Sequence, residues 1–177
     1  MSIVYLNGDY LPMAEAKISP MDRGFLFGDG IYEVVPSYNG QMIGFAPHID
    51  RMNKGMTAVG IELGWSLQQW KDVCDNLLDK NGSGNLALYL HVSRGADTKR
   101  FHAYPEGIEP TVFAFAFDIP AEPEADKSKV VGYKVATSRD LRWERCQIKS
   151  TALLGNVMHF QHGYQQGANE TLLYNEN

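Results

Sequence analysis

At 177 residues and a net charge of −5, the chain has no positive balance to draw nucleic acid or an acidic membrane surface. Hydrophobic residues at 44% against 21% charged describe a soluble globular protein of one ordinary or two small domains. Cys74 and Cys146 are too few for a disulfide framework, the start does not read as a signal peptide, and no apolar run has membrane length, so a cytoplasmic protein is expected.

Ile3-Val4-Tyr5-Leu6 before Asn7-Gly8 predicts a strand entering a tight hairpin turn. Residues 30–38 form a second β-rich stretch, with Asn39-Gly40 as another hairpin signal. Gly24, Gly28 and Gly30 lack the Lys-Ser or Lys-Thr of a phosphate loop and the spacing of a dinucleotide fingerprint, so they read as turn-forming glycines. From Ile49 the period becomes helical, with Ile49, Met52, Met56 and Val59 on one face. Ser66-Leu67-Gln68-Gln69 has the form of a capping box opening a helix through Trp70, Val73 and Leu77, which Asn81-Gly82-Ser83-Gly84 stops. Residues 86–93 and 111–117 alternate with period two and read as strands.

Residues 119–127 carry two prolines and four charges, the clearest composition shift in the chain. They predict a domain over 1–118, a linker over 119–129 and a second domain over 130–177. In that second part, residues 130–137 read as a strand and 151–166 as a helix capped by Gly167. Residues 171–174 read as another strand, followed by Asn175-Glu176-Asn177 as the first half of a turn.

Arg142-Trp143-Glu144-Arg145-Cys146-Gln147-Ile148-Lys149-Ser150 sets a lysine after two arginines and an apolar residue, just before the predicted helix. A lysine crowded by cations and partly desolvated gives up its proton more readily and becomes a nucleophile toward carbonyls. Arg51, closing His48-Ile49-Asp50-Arg51, has the planar fork that suits a phosphate. Arg100-Phe101-His102 in an extended segment directs Arg100 and His102 to the same side, where together they suit a carboxylate. His159 and His162 lie three apart on a helix, but no nearby carboxylate or cysteine completes a ligand set, so no metal is expected.

These segments, taken with Tyr5-Leu6-Asn7-Gly8, residues 22–33 (DRGFLFGDGIYE) and Arg94-Gly95, resemble the class IV aminotransferases, the fold-type IV pyridoxal-phosphate enzymes. Within them the chain is most similar to the branch acting on D-amino acids such as D-alanine. The resemblance implies a two-domain α+β (mixed α/β) fold with the second domain incomplete, and pyridoxal 5'-phosphate as cofactor. It implies Lys149 as the covalent cofactor lysine and proton carrier, and Arg51 as a phosphate ligand. Arg142 is a lesser candidate for steadying the cofactor, with a salt-bridged structural role as its alternative. Tyr32, Arg100 and His102 are implied as ligands of the substrate α-carboxylate, the last two reaching a partner's site in a homodimer. Glu170 precedes the family's cofactor carboxylate and reads as structural.

The implied reaction moves the amino group of a D-amino acid to a 2-oxo acid such as 2-oxoglutarate, without nucleic acid or membrane. The alternatives are aminodeoxychorismate lyase or branched-chain aminotransferase on the same fold, or an inactive fragment or interaction domain. Family members continue for roughly a hundred further residues, the remainder of an ordinary domain. A fragment, a truncated chain or one of two pieces is therefore expected, and the 177-residue form is expected to be inactive alone.

Overall fold

The computed structural model describes residues 2–82 and 84–175. They fall into two compact units: one runs through Glu122 and takes in Gln147–Thr151, the other holds Pro123–Cys146 and the chain from Ala152 onward. No helix among the described residues is long and apolar enough to cross a membrane.

In the first unit, β1 (Ile3–Leu6) and β2 (Asp9–Pro12) form a hairpin. Its turn puts both Asn7 (φ 49°) and Gly8 (φ 108°) in the positive-φ region that an Asn-Gly pair tolerates. A short helix, α1 (Arg23–Phe27), precedes β3 (Gly30–Tyr38), which turns through Asn39-Gly40 into β4 (Gln41–Met42). Then come α2 (Phe45–Val59), α3 (Leu67–Asn81), β5 (Leu86–Ser93) and β6 (Thr111–Asp118). The six strands make an antiparallel sheet in the order β2-β1-β6-β5-β3-β4.

Alternation along the strands decides what each face carries. Ile31, Val35, Leu88, Leu90 and Ala114 pack in the core with Ile49, Met52 and Met56 of α2 and Trp70, Val73 and Leu77 of α3. The opposite face brings Tyr32, His91 and Phe113 into register, and next to them Val34, Tyr89 and Phe115.

Two local expectations change. Gly24 lies within α1 and not in a turn, while Gly28 turns the chain out of it: Asp22 caps the helix by accepting from Gly24 N, and Gly28 closes it in the left-handed region. The helix expected from Ile49 begins at Phe45. The capping box stands as read: Ser66 Oγ accepts from Gln69 N, and the Gln69 side chain accepts from Ser66 N. Ser83, in the expected helix stop, lies outside the described residues.

In the second unit, β7 (Val135–Arg139) and β8 (Glu170–Tyr174) pair in parallel, with α4 (Leu154–Gln165) packed on both. The strand expected from residue 130 starts at Val135. Immediately before it, Lys134 N donates to Asn169 Oδ1 and Asn169 N to Lys134 O, so a side chain ends the ladder there. The expected helix over 151–166 is shortened to Leu154–Gln165. Val157, Met158, Phe160 and Leu172 are exposed. Glu176 and Asn177, in the expected turn, lie outside the described residues.

Because the cap of α3 is exposed, Ser66→Ala should remove its hydrogen bonds without opening a cavity. A stability loss of about 1 kcal/mol in urea unfolding is expected.

Candidate active site

β4 covers the edge of β3 only at Ser37 and Tyr38. Near the start of β3 the same edge is taken by Gln147–Thr151. Tyr32 N donates to Lys149 O at 3.1 Å, Thr151 N donates to Gly30 O at 2.9 Å, and Ile31 faces Ser150 in an antiparallel bridge. Thr151 Oγ1 adds a bond to Gly28 O at 3.0 Å, and Ile148 is buried. Glycine at 30 permits this approach: a Cβ there would sit 2.9 Å from Val92 O and 3.1 Å from Thr151 Oγ1. The pairing fixes the half-buried Lys149, whose Nζ lies 4.1 Å from the centre of the Tyr32 ring. Tyr32 stacks in turn on Tyr89, ring centres 5.6 Å apart.

One residue along β3, Glu33 points to the helix face and is fully buried. Arg51, one turn into α2 from His48, clasps it: Nε donates to Oε1 at 2.5 Å and Nη2 to Oε2 at 2.7 Å. His48 Nδ1 lies 2.8 Å from Oε2. Burial alone would raise the Glu33 pKa, but the hydrogen bonds and charge of Arg51 and His48 overcome it and leave it below the usual carboxylate range. The Arg51 side chain remains 52% exposed, and its Nη1 has no hydrogen-bond partner among the described residues. A buried carboxylate therefore orients a guanidinium that keeps one donor edge open, an arrangement that fits a phosphate oxygen.

Arg100 and His102 stand together but apart from Tyr32. Both lie against Phe27, the Arg100 guanidinium 5.0 Å and the His102 ring 5.3 Å from its centre. This agrees with their expected common side. Among the described residues, no hydrogen bond or ring contact joins either to Tyr32 or Lys149.

Arg142 forms an ion pair. Its Nε and Nη2 grip Asp140 at 3.0 and 2.7 Å, which holds the Asp140 pKa down to about 2. His159 is a core histidine of the second unit: Nε2 accepts from Leu141 N at 3.2 Å, and Nδ1 lies 3.3 Å from Ser138 Oγ.

Sequence reading passed over Glu33, although it closes the glycine-rich motif, and over the row beside Tyr32. In that row burial pushes the Tyr89 phenol up to about 12 and lowers the His91 pKa, despite opposition from Asp22. The phenol thus stays protonated and can donate to Nδ1 of a neutral His91, 3.1 Å away. A cavity of about 390 Å³ beside His91, Phe25 and Phe113 contains none of the predicted site residues.

Because the Glu33 pKa is lower folded than unfolded, its ion pair adds stability above the unfolded carboxylate value of about 4. That contribution should disappear as pH falls through the lower folded value. Glu33→Gln should flatten the acid limb of stability against pH, measured by urea unfolding from pH 7 down to pH 3.

The Amino-transferase class IV family matches residues 30–177. D-alanine aminotransferase of Staphylococcus haemolyticus is 34% identical over 175 residues, covering 97% of this chain and 60% of that protein. D-alanine aminotransferase of Bacillus licheniformis is 38% identical over 170 residues, covering 96% and 59%. The chain thus spans about 60% of the length of these curated relatives. Among solved structures, the branched-chain amino acid aminotransferase of Escherichia coli superposes with a TM-score of 0.86 at 17% identity, over 99% of this chain and 60% of that one. That likeness shows the fold. On fold, family match and sequence identity together, the chain belongs to the class IV aminotransferases.

Proposed function

We propose that this protein is a pyridoxal-phosphate-dependent aminotransferase that moves the amino group of a D-amino acid, of the D-alanine type, to a 2-oxo acid such as 2-oxoglutarate. The observation that carries the reading is the pairing of Gln147–Thr151 with β3, which holds Lys149 Nζ against Tyr32, the neighbour in β3 of the Glu33 that braces Arg51. The relatives named D-alanine aminotransferase support the substrate class.

Pyridoxal phosphate, when bound, supplies an electron-withdrawing ring that makes the substrate α-carbon acidic. Arg51 offers its open Nη1 edge to the phosphate, and Glu33 keeps that edge from turning away. Lys149 would anchor the cofactor, and its free amine would hold and return the proton of the substrate α-carbon. Tyr32 sits under Lys149 Nζ with its hydroxyl assigned to the substrate carboxylate. Arg100 and His102 complete carboxylate recognition from a neighbouring subunit, so the working form is a homodimer, and we read its location as cytoplasmic.

In the complete enzyme, Lys149→Ala should lower turnover of D-alanine by at least about 100-fold, the scale of a lost general base. Near-normal turnover would overturn the assignment. Arg100→Ala should raise KM for D-alanine by about tenfold to a hundredfold. Mixed Arg100→Ala and Lys149→Ala subunits should regain activity in heterodimers, one of whose two sites is intact. No recovery despite demonstrated subunit exchange would mean a carboxylate site built within one chain.

A further inference from the structure

Arg23 opens α1 with its side chain 4% exposed. Nε donates to Asp29 Oδ2 at 2.8 Å. The two terminal nitrogens turn to the loop after β5: Nη1 donates to Phe101 O at 2.6 Å and Ala103 O at 3.4 Å, and Nη2 to His102 O at 3.2 Å. Asp29 is also gripped by Arg94, whose Nε shares Oδ2 at 2.8 Å and whose Nη2 donates to Oδ1 at 3.0 Å. Arg94 is itself buried, donates to the carbonyls of Val59 and Gly60, and lies 3.6 Å from the centre of the Tyr104 ring. The loop leaves β5 through Gly95 at φ 108°, where a Cβ would meet Glu109 O at 2.0 Å.

Residues 99–110 form no helix or strand. Among the described residues, every hydrogen bond that reaches them comes from Arg23. Its guanidinium also lies 4.9 Å from the centre of the Phe27 ring, the ring against which Arg100 and His102 rest. One buried side chain therefore holds the backbone on both sides of His102 and the aromatic seat of both side chains. A carboxylate and three carbonyls in different directions match the rigid five-donor fork of arginine. The three donors of a lysine radiate from one atom and cannot span them.

We propose that Arg23, seated by Asp29, is the positioning residue for carboxylate recognition: it sets the backbone from which Arg100 and His102 are presented, and Phe27 fixes their side chains. This rests on the reading of Arg100 and His102 as carboxylate ligands given above. Arg23 does not touch the substrate in this account, so its loss should act on binding of the carboxylate and not on the proton transfer at Lys149.

The test compares Arg23→Lys, Phe27→Leu and Arg100→Ala in the complete holoenzyme. For Arg23→Lys and Phe27→Leu, KM for D-alanine and Ki for the competing carboxylate D-lactate should each rise about tenfold, with kcat within about threefold of the parent. The cofactor absorbance should stay unchanged. Independently of activity, amide hydrogen exchange over residues 99–104 should quicken in Arg23→Lys while that of β3 and β5 does not. Should Arg23→Lys fail to fold, Phe27→Leu decides on KM and Ki. Unchanged KM and Ki in a folded variant, or a fall in kcat with KM unchanged, would overturn the proposal. If Arg100→Ala raises KM while Arg23→Lys and Phe27→Leu do not, the positioning role fails alone. If Arg100→Ala leaves KM unchanged, the carboxylate reading fails and the positioning role with it.

Discussion

A lysine amine has to be held within reach of an electrophilic carbon before its nucleophilicity matters, and in the function proposed here backbone hydrogen bonds would do that holding for Lys149. The free edge of β3 near Gly30 takes Gln147–Thr151 as a short antiparallel partner, through Tyr32 N to Lys149 O and Thr151 N to Gly30 O. Lys149 is thereby placed by a segment that belongs to the sheet unit although it lies between two stretches of the other unit. The edge is open because β4 is two residues long and pairs only with the far end of β3. Everything proposed for Tyr32, Glu33 and Arg51 follows from their being on or against that same strand.

Strand alternation then divides the work. Tyr32 faces the aromatic side with Tyr89 and His91, and Glu33 faces the helices, where it meets Arg51 and His48. A fully buried carboxylate is costly unless its oxygens are satisfied, and Glu33 is satisfied by the side chains it orients. Asp29 repeats the device between Arg23 and Arg94. Burial raises its pKa, and the bonds and charges of the two arginines bring it below the usual range. In both places the acid gives an arginine a single orientation, toward an open edge in one case and toward loop carbonyls in the other.

What the sequence makes legible is local. Asn7-Gly8, Asn39-Gly40 and the Ser66–Gln69 box carry their geometry in adjacent residues, and all three form as expected. The β-rich stretch over 30–38 gives β3, and the period-two runs give β5 and β6, with little error. The residues that brace the site are not local. Arg51 meets Glu33 across 18 residues, Arg94 meets Asp29 across 65, and Arg23 reaches Phe101 O across 78. No periodicity encodes such pairings, because they depend on how the sheet brings distant turns together. The start of β7 departs from the sequence expectation for a related reason: Val130 and Val131 have β-forming side chains, but the partner strand they need begins at Glu170, opposite Val135.

Arg51, Lys149, Tyr32, Arg100 and His102 are the residues that the sequence and its family resemblance mark for chemistry. The first three gather around one strand, and the last two share the Phe27 ring. The most direct test of the account is to reduce the complete holoenzyme with borohydride, digest it and locate the pyridoxyl group by peptide mass. The account predicts the label on the peptide containing Lys149 and its disappearance in Lys149→Ala. A label on another lysine, or none on a protein that turns over D-alanine, would contradict it.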